Sequence, residues 1–186
     1  MTTTHPLLVL VSGAPGAGKS TLARQLAPKL NLPLVAKDDI KESIADAIDS
    51  KRSLLWSKRF GAATIETIWA LMERFAEAGA SAIFESNFYP DHCTERLRSL
   101  VDRYALVTFE VHCMGDTETI RQRCASRDRH PIHHSNRPSL AAMKRWMHNN
   151  RAIELNEHVI RVDTTTSEPV DLGSIVARIR EVACGL

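Results

Sequence analysis

The sequence predicts a three-layer α/β/α protein: a five-stranded parallel sheet with helices on both faces, and a small lid. Three observations predict it. Short apolar runs alternate with stretches of helical periodicity along the 186 residues. The first run, Leu7-Leu8-Val9-Leu10-Val11, is unbroken and rich in β-formers, as a strand buried on both faces must be. A glycine-rich loop follows it and opens onto an amphipathic segment.

The strands are expected at Leu7–Ser12, Leu34–Ala36, Ser81–Glu85, Ala105–His112 and Val159–Val162. After the loop, Leu22, Ala23, Leu26, Ala27 and Leu30 share one helical face. Pro28 and Pro33 are expected to close that helix and shape the turn into the second strand. Ile65, Ile68, Trp69, Met72 and Phe75 mark the buried face of a later helix. No repeat, low-complexity tract or linker interrupts the pattern, so one domain over residues 1–186 is expected.

Composition narrows the class. An apolar content of 44% is ordinary for a globular chain, and no apolar run is long enough to span a bilayer. The first residues lack the basic and apolar regions of a signal peptide. Cys93, Cys113, Cys124 and Cys184 are scattered without a C-x-x-C pair, so reduced thiols in a cytoplasm are expected. A net charge of +2 says less than where the charge lies.

The loop itself, Gly13-Ala14-Pro15-Gly16-Ala17-Gly18-Lys19-Ser20-Thr21, fits the phosphate-binding pattern G-x-x-x-x-G-K-[ST] at every fixed position. Its glycines let successive N–H groups turn inward onto phosphate oxygens. Lys19 carries a point charge to the β- and γ-phosphates, and the Ser20 hydroxyl is placed to ligate Mg²⁺. The following helix adds its positive end. The chain is therefore expected to bind a nucleoside triphosphate.

What the triphosphate is for depends on the rest of the chain. There is no Asn-Lys-x-Asp guanine reader of regulatory GTPases and no Leu-Ser-Gly-Gly-Gln signature of transporter ATPases. Ring-forming ATPases usually need a longer chain and adjacent acids ending a strand, whereas here strand three ends Glu85-Ser86-Asn87. A compact kinase remains, of the nucleoside-monophosphate-kinase-like P-loop fold with sheet order 2-3-1-4-5. Such an enzyme needs positioning, charge neutralisation and a proton acceptor. Asp38 is the candidate base where strand two becomes a helix, with Lys41 to steady the transferred group and Asp39 as cap or first-turn acid.

The stretch Arg121–Arg151 also holds Arg123, Arg127, Arg129, Arg137, Lys144 and Arg145, opposed only by Asp128. Arg123 and Arg127 lie one turn apart, and residues 123–138 read as a lid that closes on the phosphates. His130, His133 and His134 are expected to be lid or surface histidines rather than metal ligands, because hard Mg²⁺ prefers oxygen.

With these parts placed, the chain resembles the P-loop kinases that include polynucleotide 5′-hydroxyl kinases, zeta-toxin-like kinases and chloramphenicol phosphotransferases. The similarity spans nearly the whole chain. Lys37-Asp38-Asp39-Ile40-Lys41 is similar to the Arg-Asp-Asp-x-Arg segment of polynucleotide kinases, and Glu85-Ser86-Asn87 to their Asp-Thr-Asn. The resemblance implies a base at Asp38, a phosphate contact at Lys41, an acceptor side at Asn87 and lid arginines at Arg123 and Arg127. Lys41 keeps the charge of arginine without its planar fork. Glu85 either holds Mg²⁺ through water or orients Asn87.

The leading expectation is an ATP-dependent transfer of the γ-phosphoryl group to a small-molecule hydroxyl, with Mg²⁺. The base of ATP is expected beside Asp163-Thr164-Thr165, with Thr164 as a contact. A polynucleotide 5′-hydroxyl kinase is the second reading, drawn from Lys51, Arg52, Lys58 and Arg59 near Trp56 and Phe60. That cluster also reads as an amphipathic helix with a solvated face. A nucleotide-dependent switch is the third reading, weakened by Asp38 and the lid. No membrane partner is expected.

Overall fold

The computed structural model describes residues 5–48, 53–134, 139–166 and 168–184. Its five strands are β1 (Leu7–Gly13), β2 (Leu34–Ala36), β3 (Ala82–Glu85), β4 (Val107–Met114) and β5 (Val159–Asp163). Every pairing is parallel, in the order β2-β3-β1-β4-β5, as expected. The helices are α1 (Lys19–Leu30), α2 (Lys37–Ala47), α3 (Leu54–Glu77), α4 (Pro90–Tyr104), α5 (Thr117–Ser126), α6 (Leu140–Asn149) and α7 (Leu172–Cys184). No helix among the described residues is long and apolar enough to cross a membrane.

β1 sits at the centre, and its alternation divides the core. Leu7, Val9 and Val11 pack with Leu22 and Leu26 of α1 and with Ile175 and Ile179 of α7. Leu8 and Leu10 face the other way, onto Ile68, Trp69 and Met72 of α3 and Leu97 of α4. Both faces are covered, which is why the strand needed no polar residue until Ser12. A smaller cluster joins Ala45 of α2, Phe60 of α3 and Ile132, which follows α5.

Several boundaries differ from expectation for identifiable reasons. Pro28 does not close α1 but lies inside its last turn, on the exposed side. One helical hydrogen bond is lost there, and the helix stops only at Asn31, whose left-handed backbone (φ 55) donates its N–H to the Ala27 carbonyl. Ala105 is likewise left-handed (φ 50) and caps α4, so β4 starts two residues late and runs on to Met114. Ser81 stays outside β3, and its hydroxyl accepts the Leu7 N–H at 2.8 Å.

A buried polar seam joins β1 to β4 behind the phosphate loop. The Ser12 hydroxyl donates to Glu110 Oε1 at 2.5 Å and lies 2.7 Å from His112 Nδ1. Glu110 Oε2 accepts the Ile153 N–H at 2.8 Å and that of Glu154 at 3.2 Å, tying the approach to β5 into the sheet. Burial pushes the Glu110 carboxyl up and the His112 imidazole down, the latter to about 4.

Candidate active site

The strands deliver the site at their carboxyl ends, where open parallel sheets bind ligands. At Gly13 the backbone turns with φ 139, and a Cβ there would stand 2.4 Å from the Cys113 carbonyl oxygen. Only glycine keeps β1 against β4 at that point. Gly18, also left-handed (φ 81), precedes α1. The first turn of α1 holds no acidic residue, so its N–H groups face the loop uncompensated.

Inside the loop, Lys19 Nζ donates to the Ala14 carbonyl at 3.0 Å and lies 3.9 Å from Glu85 Oε1. The Ser20 hydroxyl donates to Glu85 Oε2 at 3.1 Å. Burial raises the Glu85 carboxyl despite Lys19 and the Ser20 hydrogen bond. Glu85 thus contacts Ser20 and Lys19. The adjacent hydroxyl and carboxylate oxygens of Ser20 and Glu85 form a hard donor set that fits Mg²⁺.

β2 runs straight into α2 through Ala36, which occupies the cap position without a side-chain hydrogen bond. Asp38 and Asp39 both fall in the first turn, so Asp39 is a first-turn acid and not the cap. It pairs with Arg24 at 2.6 Å on the surface. Asp38 turns inward instead. Its Oδ2 accepts from Arg129 Nη2 at 2.5 Å, and Lys37 Nζ lies 3.9 Å from Oδ1. Burial alone would raise this carboxyl, but Lys37, His133, Arg129 and Lys19 outweigh it and hold it below the usual carboxylate range. Burial holds His133 itself below its ordinary value and lowers the Lys37 ammonium as well, so the nearest counter-charge on Asp38 is the Arg129 guanidinium at 2.5 Å.

Lys41 follows one turn later, buried, with Nζ donating to the Ser57 hydroxyl of α3 at 2.8 Å. Burial, reinforced by Lys37, brings its ammonium down to about 8. Together these groups face a cleft of about 270 Å³ that begins at Pro15–Thr21 of the loop. Lys19, Lys37, Lys41, Arg127 and Arg129 line it, and among the described lining residues Asp38 is the lone carboxylate. Asn87 reaches the same cleft from the end of β3.

Arg123 and Arg127 do not share a helical face in the expected way, because α5 ends at Ser126 and Arg127 is extended (φ −73, ψ 125). They still meet at one cavity of about 470 Å³ with Thr164, Gly16 and Gly18. Arg123 donates to the Thr164 hydroxyl at 3.0 Å and to its carbonyl at 2.5 Å. The Thr164 hydroxyl lies 3.2 Å from the Ala17 carbonyl, which fastens the end of β5 to the loop. Arg127 lines this cavity and the Asp38 cleft alike.

Of the stretch read as a lid, residues 123–126 belong to α5 and 127–134 lie over α2. Positions 135–138, Arg137 among them, fall outside the described residues. The histidines do separate jobs: His130 Nε2 lies 2.9 Å from Asp46 and His133 Nε2 2.9 Å from Glu42, while His134 is exposed at the cleft. No cluster of three His, Cys, Asp or Glu able to hold a metal occurs among the described residues.

Sequence reasoning passed over Lys37, Ser57 and the special place of Arg129. The spacing of Lys37 next to Asp38 was a usable signal; the partners of Ser57 and Arg129 lie far off in the chain. The Lys51 and Arg52 half of the basic aromatic cluster lies outside the described residues. Lys58 and Arg59 are exposed, and Arg59 stands over the Trp56 ring at 5.5 Å. Phe60 is buried beneath Ile132 and offers no free face for a base.

Comparison with known proteins bears on this geometry. A family model described as an AAA domain, AAA_33, matches residues 8–155. A protein of Chloroflexus aurantiacus, provisionally described as a kinase, is 31% identical, with 96% of this chain and 98% of that one covered and a TM-score of 0.82. A sugar kinase of Janibacter shares 20% identity over 94% of this chain and 91% of its own, with a TM-score of 0.57. Shikimate kinase of Acinetobacter baumannii, solved with shikimate, shares 17% over 98% and 95%, with a TM-score of 0.58. The last two are alike in fold alone. Among curated proteins, none matches the chain.

Proposed function

The chain belongs to the AAA domain family AAA_33, a P-loop kinase family, and on that premise we propose that it is an ATP-dependent phosphotransferase acting on a small-molecule hydroxyl. One observation carries the reading. Asp38, ionised at neutral pH, is the lone carboxylate among the described residues lining a cleft that also holds five basic side chains and part of the phosphate loop. A triphosphate needs the cations, and a hydroxyl acceptor needs the carboxylate.

In this reading the loop N–H groups and Lys19 hold the β- and γ-phosphates. The acceptor oxygen attacks the γ-phosphorus, forming a new P–O bond as the bond to the β-phosphate oxygen breaks. The hydroxyl proton passes to Asp38, and ADP leaves. Lys41 and Arg127 balance charge on the transferring group. Ser20, with Glu85 behind it, would hold Mg²⁺, which would supply charge neutralisation for the transferring group. The cavity of Arg123 and Thr164 would take the base, with ATP preferred over GTP.

Within P-loop kinases, we place the chain beside the polynucleotide-kinase, zeta-toxin and chloramphenicol-phosphotransferase group. The support is the Lys37–Lys41 segment, which sets both Asp38 and Lys41 on one cleft. A cytoplasmic setting, rich in ATP, suits the free buried thiols of Cys93, Cys113 and Cys124. The test is transfer of label from γ-labelled ATP to a panel of sugars, nucleosides, aryl alcohols and antibiotics, with 5′-hydroxyl oligonucleotides alongside. Label on small alcohols is the expected result. Label on oligonucleotides alone would replace this reading with polynucleotide kinase, and hydrolysis without any labelled acceptor would replace it with a nucleotide switch.

A further inference from the structure

A second cavity, of about 370 Å³, opens beside the Asp38 cleft between α3 and the turn from β3 into α4. The two share Lys37 and Asn87, so they lie side by side. Their chemistry differs. Where the first is lined by cations, the second is walled mainly by Gly61, Ile65, Ile68, Trp69, Phe88 and Cys93, with Lys37, Asn87, Tyr89 and His92 as its polar lining. Burial holds the Cys93 thiol up at about 12, so the thiol adds no charge to that wall at neutral pH.

Two details mark this cavity as a site for a ligand. The Ser86 hydroxyl is 1% exposed and has no hydrogen-bond partner, yet Ser86 lines the cavity. Its oxygen is itself closed off from the cavity, so a ligand reaches it only after a rotation about χ1, which would give the unpaired hydroxyl a partner. Phe88 beside it is held at φ 29, a left-handed backbone that a bulky aromatic residue rarely adopts. That conformation keeps the ring in the apolar wall while Asn87 stays at the mouth.

We propose that the phosphoryl acceptor is an alcohol with an apolar, ring-sized body carrying one further polar group, not a polyhydroxylated sugar. The body fills the cavity, its polar group meets Ser86, and its hydroxyl emerges past Lys37 and Asn87 toward Asp38. Lys37, Asn87, Tyr89 and His92 can meet one or two hydroxyls, but a sugar placed there would set the rest against Trp69, Ile65, Ile68 and Phe88. The inference rests on the kinase reading above for the chemistry, but the cavity and its ligand class can be tested apart from turnover.

Gly61 supplies the clean variant. It lies in α3 on the cavity wall, and an added Cβ meets nothing within 4 Å, so the position accepts a side chain and Gly61→Phe adds a ring at that wall. Binding of phenylethanol, tyrosol and glucose to the protein is read by saturation-transfer NMR, and their phosphorylation by label transfer from ATP. The aryl alcohols should bind and be phosphorylated with kcat/KM roughly 10-fold or more above glucose. Gly61→Phe should abolish their binding, and Ser86→Ala should erase the advantage of tyrosol over phenylethanol in KM. ATP binding by isothermal titration should persist in both variants.

Glucose turned over as well as the aryl alcohols, and unaffected by Gly61→Phe, would overturn the inference and leave the kinase reading intact. Aryl alcohols that bind in a Gly61-dependent way but never take label would uphold the cavity and overturn the kinase reading. Absence of any aryl-alcohol binding would overturn the inference directly.

Discussion

Asp38 is caught between two demands at the scale of single residues. As the proposed base it must be ionised, and the positive groups around it, Lys37, Arg129 and Lys19 among them, hold its carboxyl low against its burial. As an acceptor of hydrogen bonds it must be reachable, yet Arg129 occupies one of its oxygens. Asp38→Asn should keep ATP binding and lose phosphoryl transfer by about 10²–10⁴-fold; titration calorimetry against single-turnover transfer separates the two. Near-normal transfer would remove Asp38 from the chemistry. Lys41 gives a pH signature. Its ammonium, brought down to about 8 by burial and Lys37, is charged below that pH and neutral above it. If its charge serves transfer, kcat/KM falls as pH rises through about 8. Lys41→Arg should carry that alkaline limb upward by more than one pH unit, roughly, because guanidinium stays charged; an unmoved limb would assign the ionisation elsewhere. The loop, Asp38 and Lys41 were legible because each belongs to a short local pattern. Arg129 was not, since its partner lies 91 positions away and nothing in a run of basic residues singles it out.

At the scale of elements, the segment after α5 is fastened to α2 by contacts of unlike kinds. Arg129 binds Asp38, His130 faces Asp46, His133 faces Glu42, and Ile132, fully buried, enters the pocket between Ala45 and Phe60. The apolar contact can be removed without touching charge. Ile132→Ala should weaken this docking by about 2–5 kcal/mol. Hydrogen exchange should then speed up across residues 127–134 and stay slow in β1 and β4; slow exchange throughout would mean that Ile132 does not hold the segment down. The strands were readable in the sequence because a sheet covered on both faces leaves long apolar runs. Their ends were less so. Ala105 and Asn31 take left-handed conformations set by the packing of α4 and α1, and Pro28 sits where an exposed last turn tolerates a lost hydrogen bond. The apolar cavity beside Asn87 was invisible for another reason: its walls come from α3 and from the turn into α4, whose apolar residues read simply as core.

On the scale of the whole molecule, stability and site meet in the seam of Ser12, Glu110 and His112. His112 is 2% exposed and its imidazole is pressed down to about 4 by burial. In the unfolded chain it would protonate near its ordinary value of about 6.5. Its contribution to stability is therefore complete above about 6.5 and is lost as pH falls through about 4, a loss of about 3 kcal/mol. Glu110, raised by the same burial, titrates in the opposite sense, so total stability does not isolate the histidine. The difference between wild type and His112→Asn does. In urea titrations the wild type should lose about 3 kcal/mol relative to the variant between pH 7 and 4; a constant difference would refute the assignment. The same seam has a consequence for how the protein is made. Leu10 pairs with Phe84 on one side and Glu110 on the other, and Gly13 is fixed against Cys113. A ribosome therefore releases the whole phosphate-loop motif long before it has synthesised the strands that give the loop its shape. A chain interrupted ahead of β4 carries the motif without the strand that closes against Gly13, so bound nucleotide would favour chains whose translation has passed β4.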